Sequence, residues 1–146
     1  MTQQPETRRQ TIEQQRGRQA WANIGEIKRQ RNKDLEKKYR SLARGLNAMI
    51  QTNGLGQTLG FFYAKGRQTK DEHFHLLNHL TQWMQMNEYF GHLITSQPTQ
   101  SAEDNKLLLW VTRSANTAEY RLATTECLAF GNWLRRFAEA ELEGEA

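Results

Sequence analysis

The strongest hydrophobic pattern in the chain lies near its carboxyl end. From about residue 117 to residue 142, apolar side chains recur at intervals of three and four: Tyr120, Ala123, Cys127, Phe130, Leu134 and Phe137. This spacing puts them on one side of an α-helix. A second row widens the face that we expect to be buried, and it consists of Leu122, Glu126, Ala129 and Trp133.

The same periodicity predicts helices at about residues 7–30, 33–51, 54–63, 71–87 and 107–111, with a small helix or turn at 88–95. Asn32 or Asp34 suits the start of the second helix, Gly54 its end, and residues 101–104 resemble a capping box. The run Leu107 to Val111 has no partner strand, so we assign it to a helix. The predicted fold class is all-α: a compact bundle of about five to six helices in a single domain, residues 1–146. We expect residues 1–7 to fray and residues 143–146 to form an acidic tail.

Composition restricts the class of protein further. The chain has 146 residues, of which 37% are hydrophobic, enough for one core. A single cysteine, Cys127, excludes an intramolecular disulfide and a cysteine-rich zinc module, and it favours a reducing compartment. No run approaches the roughly 20 apolar residues of a membrane span. We therefore expect a cytoplasmic protein without a membrane partner.

Charge is distributed unevenly along the chain. Residues 1–45 hold twelve Lys and Arg against five acids, whereas residues 46–146 hold eight against eleven. The basic third predicts a polyanion or an acidic protein as its partner, and the alternative is an ordinary solvated helix face. The carboxyl end is acidic, so the two ends of the chain carry charges of opposite sign.

Candidate catalytic groups are few. His75 and His79 are four residues apart and share a helix face, so a metal-dependent nuclease is one alternative, although two ligands hold a metal poorly and His73 points elsewhere. A DNA-binding regulator is another, with the second and third helices as a helix-turn-helix, but the third helix is too apolar to read a groove. Cys127 lies in an apolar stripe. We expect no catalytic residue, no cofactor and no metal.

Two stretches carry a resemblance to a known family. Residues 39–61 include the pattern A-x-I-x-x-N-G-L-G-Q-T-L-x-F, and residues 119–140 include Y-R-x-A-T-x-E-x-L-A-F-x-x-W-L-R-R-F-A-E. Together they resemble the small subunit of the type III-B CRISPR effector, the fifth protein of the Cmr module. Cys127 departs from the small apolar residue that is usual there, which agrees with a core position.

The resemblance implies a non-catalytic helical subunit of an RNA-targeting ribonucleoprotein. Its partners would be the large polymerase-like subunit, the RAMP backbone subunit, copies of itself in a minor filament, and the crRNA or target RNA. A subunit that lies along RNA needs cations without base-reading geometry. Our candidate RNA-binding residues are Lys28, Arg29, Arg31, Lys33, Lys37, Lys38, Arg40 and Arg44, followed by Lys65, Arg67 and Lys70. Arg135 and Arg136 match the family pattern, but they also suit the end of a helix.

Overall fold

Helices account for nearly all the regular structure in the computed structural model, which describes residues 10–144. Within these residues the α-helices are α1 (Ile12–Arg29), α2 (Lys33–Asn53), α3 (Leu55–Gly66), α4 (Glu72–Met86), α5 (Gly91–Thr95), α6 (Lys106–Leu109) and α7 (Thr117–Glu141). A π-helical turn, Trp110–Ser114, continues α6. No strand occurs among residues 10–144, and the all-α prediction is confirmed. The predicted fraying of residues 1–7 lies outside the described residues.

Side-chain caps set the starts of the long helices. Thr11 and Gln14 form a capping box at α1, as Asn116 and Glu119 do at α7. The Asn32 side chain accepts the Leu35 N–H at the start of α2, as predicted. Each cap satisfies backbone donors that the first turn of a helix leaves without partners.

The predicted capping box at residues 101–104 is wrong. Helix α6 begins after Asn105, whose Oδ1 atom accepts the Leu108 N–H at 2.9 Å. The Asp104 carboxylate instead accepts backbone N–H groups of Gln100 and Ser101, at 2.8 and 3.2 Å. Asp104 therefore stabilises the turn before the helix and leaves the cap to the next residue.

The direction of each helix follows from its contacts. Helix α7 runs parallel to α1, because Arg16 contacts Glu126 and Lys28 contacts Glu141. It runs antiparallel to α2, where Arg44 contacts Glu139. Helix α4 is antiparallel to α1 and to α3. The carboxyl ends of α1, α3 and α7 therefore meet the amino ends of α2 and α4, and we call this place (residues 28–38, 65–72 and 139–143) the turn end.

The core lies between these helices and is closed by aromatic side chains. Trp83 and Phe130 stack with their ring centroids 5.2 Å apart, and both are buried. Cys127 is buried, as predicted. Leu122, which the sequence analysis places on a buried face, is 50% exposed. Trp21 is 53% exposed because its ring packs only edge-on against Phe137 at the margin of α1 and α7, with the ring centroids 5.0 Å apart.

Residues of the two family-like stretches contact each other directly. Gly54 adopts a φ of +88°, which L side chains rarely adopt, and it joins α2 to α3. The next glycine, Gly56, donates its N–H to the Tyr120 hydroxyl at 2.8 Å. A Cβ on Gly56 would lie 3.2 Å from that same oxygen. The glycines of the first stretch thus let the α2–α3 corner pack closely against the start of α7.

Candidate nucleic-acid interface

The structure gathers most of the predicted RNA-binding cations at one end of the bundle. Cations of the α1–α2 turn and of the α3–α4 loop, which are far apart in sequence, both lie at the turn end. These nine residues are Lys28, Arg29, Arg31, Lys33, Lys37, Lys38, Lys65, Arg67 and Lys70. Arg40 and Arg44 lie further along α2, on the side that faces α7.

Several of these cations are paired within the chain. Lys28 contacts Glu141 at 2.9 Å and Arg44 contacts Glu139 at 3.2 Å. The Arg40 Nη2 atom donates to the Glu139 carbonyl oxygen at 3.4 Å. These contacts lie within one chain, where Glu139 and Glu141 neutralise part of the basic stretch. Burial opposes ionisation of Glu139, but the hydrogen bonds and charges of Arg44 and Arg135 together outweigh it and lower the pKa of that carboxyl.

Two further candidates have acidic partners nearby. Lys38 contacts Asp34 one turn earlier in α2, at 3.2 Å. Arg67 contacts Glu103 at the same distance. Both pairs are exposed, so each contributes little stability, and either cation can exchange its partner for a phosphate.

The remaining six candidates make no ion pair among residues 10–144: Arg29, Arg31, Lys33, Lys37, Lys65 and Lys70. Five of them are exposed and Lys37 is half-buried. Arg31 and Lys70 share a second property: both have a φ of +55°. No other non-glycine residue in the described part of the chain has a positive φ. Backbone strain of this kind collects at functional positions, and here it falls on two cations at the same end of the bundle.

The hydrogen bonds of His79 contradict the hypothesis of a metal site formed by His75 and His79. Its Nε2 atom lies 2.7 Å from the Glu26 carboxylate and its Nδ1 atom 2.8 Å from the Tyr39 hydroxyl. Both ring nitrogens are engaged, so His75 and His79 do not form a two-histidine metal site. The hydrogen bond with His79 lowers the pKa of Glu26, and burial, followed by the nearby His79, lowers the pKa of His75.

Asp71, Glu72 and His73 are the only three metal-ligating groups within 4.8 Å of one another in the described residues. Asp71 also accepts the His73 N–H at 2.9 Å and so caps α4. Burial opposes ionisation of Asp71, but its hydrogen bonds with His73 lower its pKa. We therefore interpret the group as a helix cap. Sequence reasoning missed it, because His73 was expected to point away from the other histidines.

Sequence analysis placed Glu126 on a buried face without assigning it a partner. Its carboxylate accepts two hydrogen bonds from Arg16, at 2.6 and 2.9 Å, and one from the Trp83 indole at 2.9 Å. This hydrogen bonding raises the pKa of Arg16 against the effect of burial. One signal in the sequence could have revealed this role, which is a charged residue, Glu126, within a row of apolar side chains.

Burial, followed by the charge of Glu126, raises the pKa of Cys127 to about 12, so the thiol stays protonated at neutral pH.

The regulator hypothesis depends on α3, which is not available as a recognition helix. Leu55, Leu59 and Phe62 on α3 are fully buried in the core. A helix that enters a DNA groove must present its side chains to the bases.

In the described residues, no helix combines the length and apolar character needed to cross a bilayer.

Fold and site together define a small helical-bundle protein with a cationic end, in which buried charged groups hold helices together. The comparison with known families specifies it further. The model of a family described as CRISPR-associated protein (Cas_Cmr5) matches residues 12–141. The chain belongs to this family, and it is a CRISPR subunit that associates with other subunits of a Cmr complex. The resemblance found in residues 39–61 and 119–140 is confirmed.

Proposed function

We propose that this protein is a non-catalytic small subunit of a type III-B Cmr ribonucleoprotein that targets RNA. In this proposal it stacks with copies of itself in a helical minor filament and offers a basic surface to crRNA or target RNA. Its protein partners are the RAMP backbone subunit and the large polymerase-like subunit, and its location is the cytoplasm. Family membership supports the complex, and the arrangement of cations supports the contact with RNA.

The observation that carries the proposal is the convergence of two cationic segments at the turn end. Arg31 and Lys33 come from the α1–α2 turn and the first residue of α2, and Lys65 and Lys70 from the last turn of α3 and the loop after it. They have no ion-pair partner among residues 10–144, so their charge is available to a partner. Contact with phosphates requires positive charge near the backbone and tolerates loose geometry, because affinity comes from the release of counterions.

The test is charge reversal in the assembled complex. The variant R29E/R31E/K33E removes three exposed cations of the turn end. Each phosphate contact in single-stranded nucleic acid contributes about −0.7 to the slope of log affinity against log salt. We expect weaker binding of target RNA and a slope that is less steep by about 2 if all three residues contact phosphates.

A matched control reverses the same amount of charge elsewhere. Arg18, Arg113 and Arg121 are exposed and lie away from the turn end. The variant R18E/R113E/R121E should assemble normally and keep the wild-type slope. Equal slopes for the wild type and for R29E/R31E/K33E would assign the turn-end cations to a solvated face and contradict the proposal.

A further inference from the structure

A cavity of about 340 Å³ opens beside the turn end, between α3, the first turns of α4 and the loop before α6. Three aromatic rings line it, those of Phe62, Tyr63 and Phe74. The polar lining includes the cations Arg67 and Lys70, the acids Glu103 and Asp104, and Asn78. Its volume is near the lower end of the range of about 300–1,000 Å³ that small-ligand sites occupy. The cavity therefore suits a flat ligand of modest size.

Two of the aromatic rings in this cavity, Tyr63 and Phe74, each have a cation over them. The guanidinium carbon of Arg67 lies 5.0 Å from the centroid of Tyr63, and the Lys70 Nζ atom lies 4.5 Å from the centroid of Phe74. Both cations are exposed on long, rotatable side chains, so they can leave the rings for an anionic partner at little cost. The pairing of a π-face with a positive charge occurs twice within one cavity.

The backbone fixes the position of Phe74. Gly66 at the end of α3 packs so closely on the backbone of Phe74 that a Cβ there would overlap it. Lys70 makes the turn between these helices with its φ of +55°. The backbone positions of Phe74 and Lys70 are thus set by main-chain geometry.

Asn78 adds a group that is suited to reading a base edge. Its side chain is half-buried and makes no hydrogen bond to any other residue in the range 10–144. An amide both donates and accepts, so it can pair with the edge of any nucleobase. Asn105, which also lines the cavity, is committed to capping α6 and to Thr81.

We propose that this cavity binds one unstacked nucleobase of a single-stranded RNA, an inference that rests on the proposed function. The base stacks on Phe74 or Tyr63, Lys70 and Arg67 turn to the flanking phosphates, and Asn78 contacts the base edge. Because every base has a π-face, the site binds RNA with any base more tightly than a ribose-phosphate backbone that has no bases. The turn-end cations then hold the backbone, while this cavity holds a base.

The test compares RNA with a backbone that has no bases. The full chain is titrated with a uridine dodecamer and with an abasic ribose-phosphate dodecamer of equal charge. The variant Y63L/F74L keeps apolar side chains but removes both stacking faces. We expect it to bind the uridine dodecamer about 5- to 150-fold more weakly and the abasic dodecamer as the wild type does. A dodecamer of 4-thiouridine should cross-link to residues of the cavity in the wild type.

The two proposals fail in different ways. If Y63L/F74L lowers affinity for both oligomers equally or for neither, the cavity does not hold a base and this inference is overturned. The proposed function survives that result as long as R29E/R31E/K33E still weakens both oligomers. If other Cmr subunits protect the cavity from hydrogen exchange and no cross-link forms there, a protein segment occupies it and the inference is again overturned. Circular dichroism of Y63L/F74L checks that its fold is retained.

Discussion

Two sets of cations in this molecule differ in how much of their positive charge is available to a binding partner. Beside α7, Lys28 and Arg44 face Glu141 and Glu139 of their own chain. Across the turn end, Arg31, Lys33 and Lys65 have no such partner among residues 10–144. In the sequence all five are candidate RNA-binding cations, and nothing there distinguishes the paired residues from the others. The comparison teaches that the charge counted along a chain is larger than the charge it can offer to RNA.

The buried pair Arg16–Glu126 is the extreme case of a committed cation. Glu126→Gln should destabilise the protein by about 3 kcal/mol, because it leaves the Arg16 guanidinium partly buried without a counter-charge. Chemical denaturation measures the loss. The double variant R16M/E126L should lose less than E126Q, because only the Trp83 N–H then lacks a partner. If R16M/E126L is less stable than E126Q, the ion pair stabilises the fold by more than the cost of leaving one of its charges without a partner.

Releasing the cations beside α7 tests the comparison itself. E139Q/E141Q removes the partners of Arg44 and Lys28 and should raise affinity for single-stranded RNA. If both cations then reach phosphates, the salt slope becomes steeper by about 1.4. The loss of stability should be small, because these pairs are exposed. As a control, E88Q/E119Q removes two acids away from the turn end, and its slope should stay at the wild-type value.

The strained cations separate binding from stability. Arg31→Gly should stabilise the fold by about 0.5–1 kcal/mol, because glycine adopts a φ of +55° without the steric cost that other residues bear. The same change should weaken RNA binding by the loss of one charge. Arg29→Gly is the matched control, since it removes a neighbouring charge from the last position of α1 and should not stabilise. Thermal unfolding and a salt titration on the same samples measure both effects, and lower stability in R31G would contradict the strain argument.

Lowering the pH should weaken the Glu26–His79 pair before it changes the charge of the turn-end cations. The hydrogen bond with His79 lowers the pKa of Glu26 from its ordinary value of 4.5, so its contribution to stability is present above that pH. The contribution is lost as pH falls through the lower, folded-state pKa. Glu26 is 48% exposed, and the effect should be below about 1 kcal/mol. Between pH 5 and 3, Glu26→Gln should therefore lose slightly less stability than the wild type, and a steeper loss would contradict the assignment.

Hydrophobic periodicity predicted the long helices because each buries one continuous stripe. Helices α2 and α7 were placed within a few residues of their observed ends, and the Asn32 cap was among the candidates named. The capping box predicted at residues 101–104 was wrong because Asp104 has a local alternative: its carboxylate accepts the backbone N–H of Gln100 in the turn before α6. Periodicity identifies a face but not the helix that covers it, which is why Leu122 was wrongly expected to be buried.

The candidate site was predictable in its residues but not in its grouping. Charge density alone pointed to residues 28–44, since no fold is needed to see it. The partners of Lys28 and Arg44 lie about a hundred residues further on, beyond the reach of local sequence rules. The same holds for Tyr63 and Phe74, whose shared cavity depends on how α3 packs on α4.

The pairing of α7 with α1 and α2 also bears on how the protein is made. Arg16 and Glu126 are 110 positions apart, and the first two helices leave the ribosome well before α7 is synthesised. Until then the emerging chain carries Arg16, Lys28 and Arg44 without their acidic partners, and the core lacks the apolar face of α7. Contacts of such long range form late and slowly. Docking of α7 thus neutralises these three cations and closes the core at the same time.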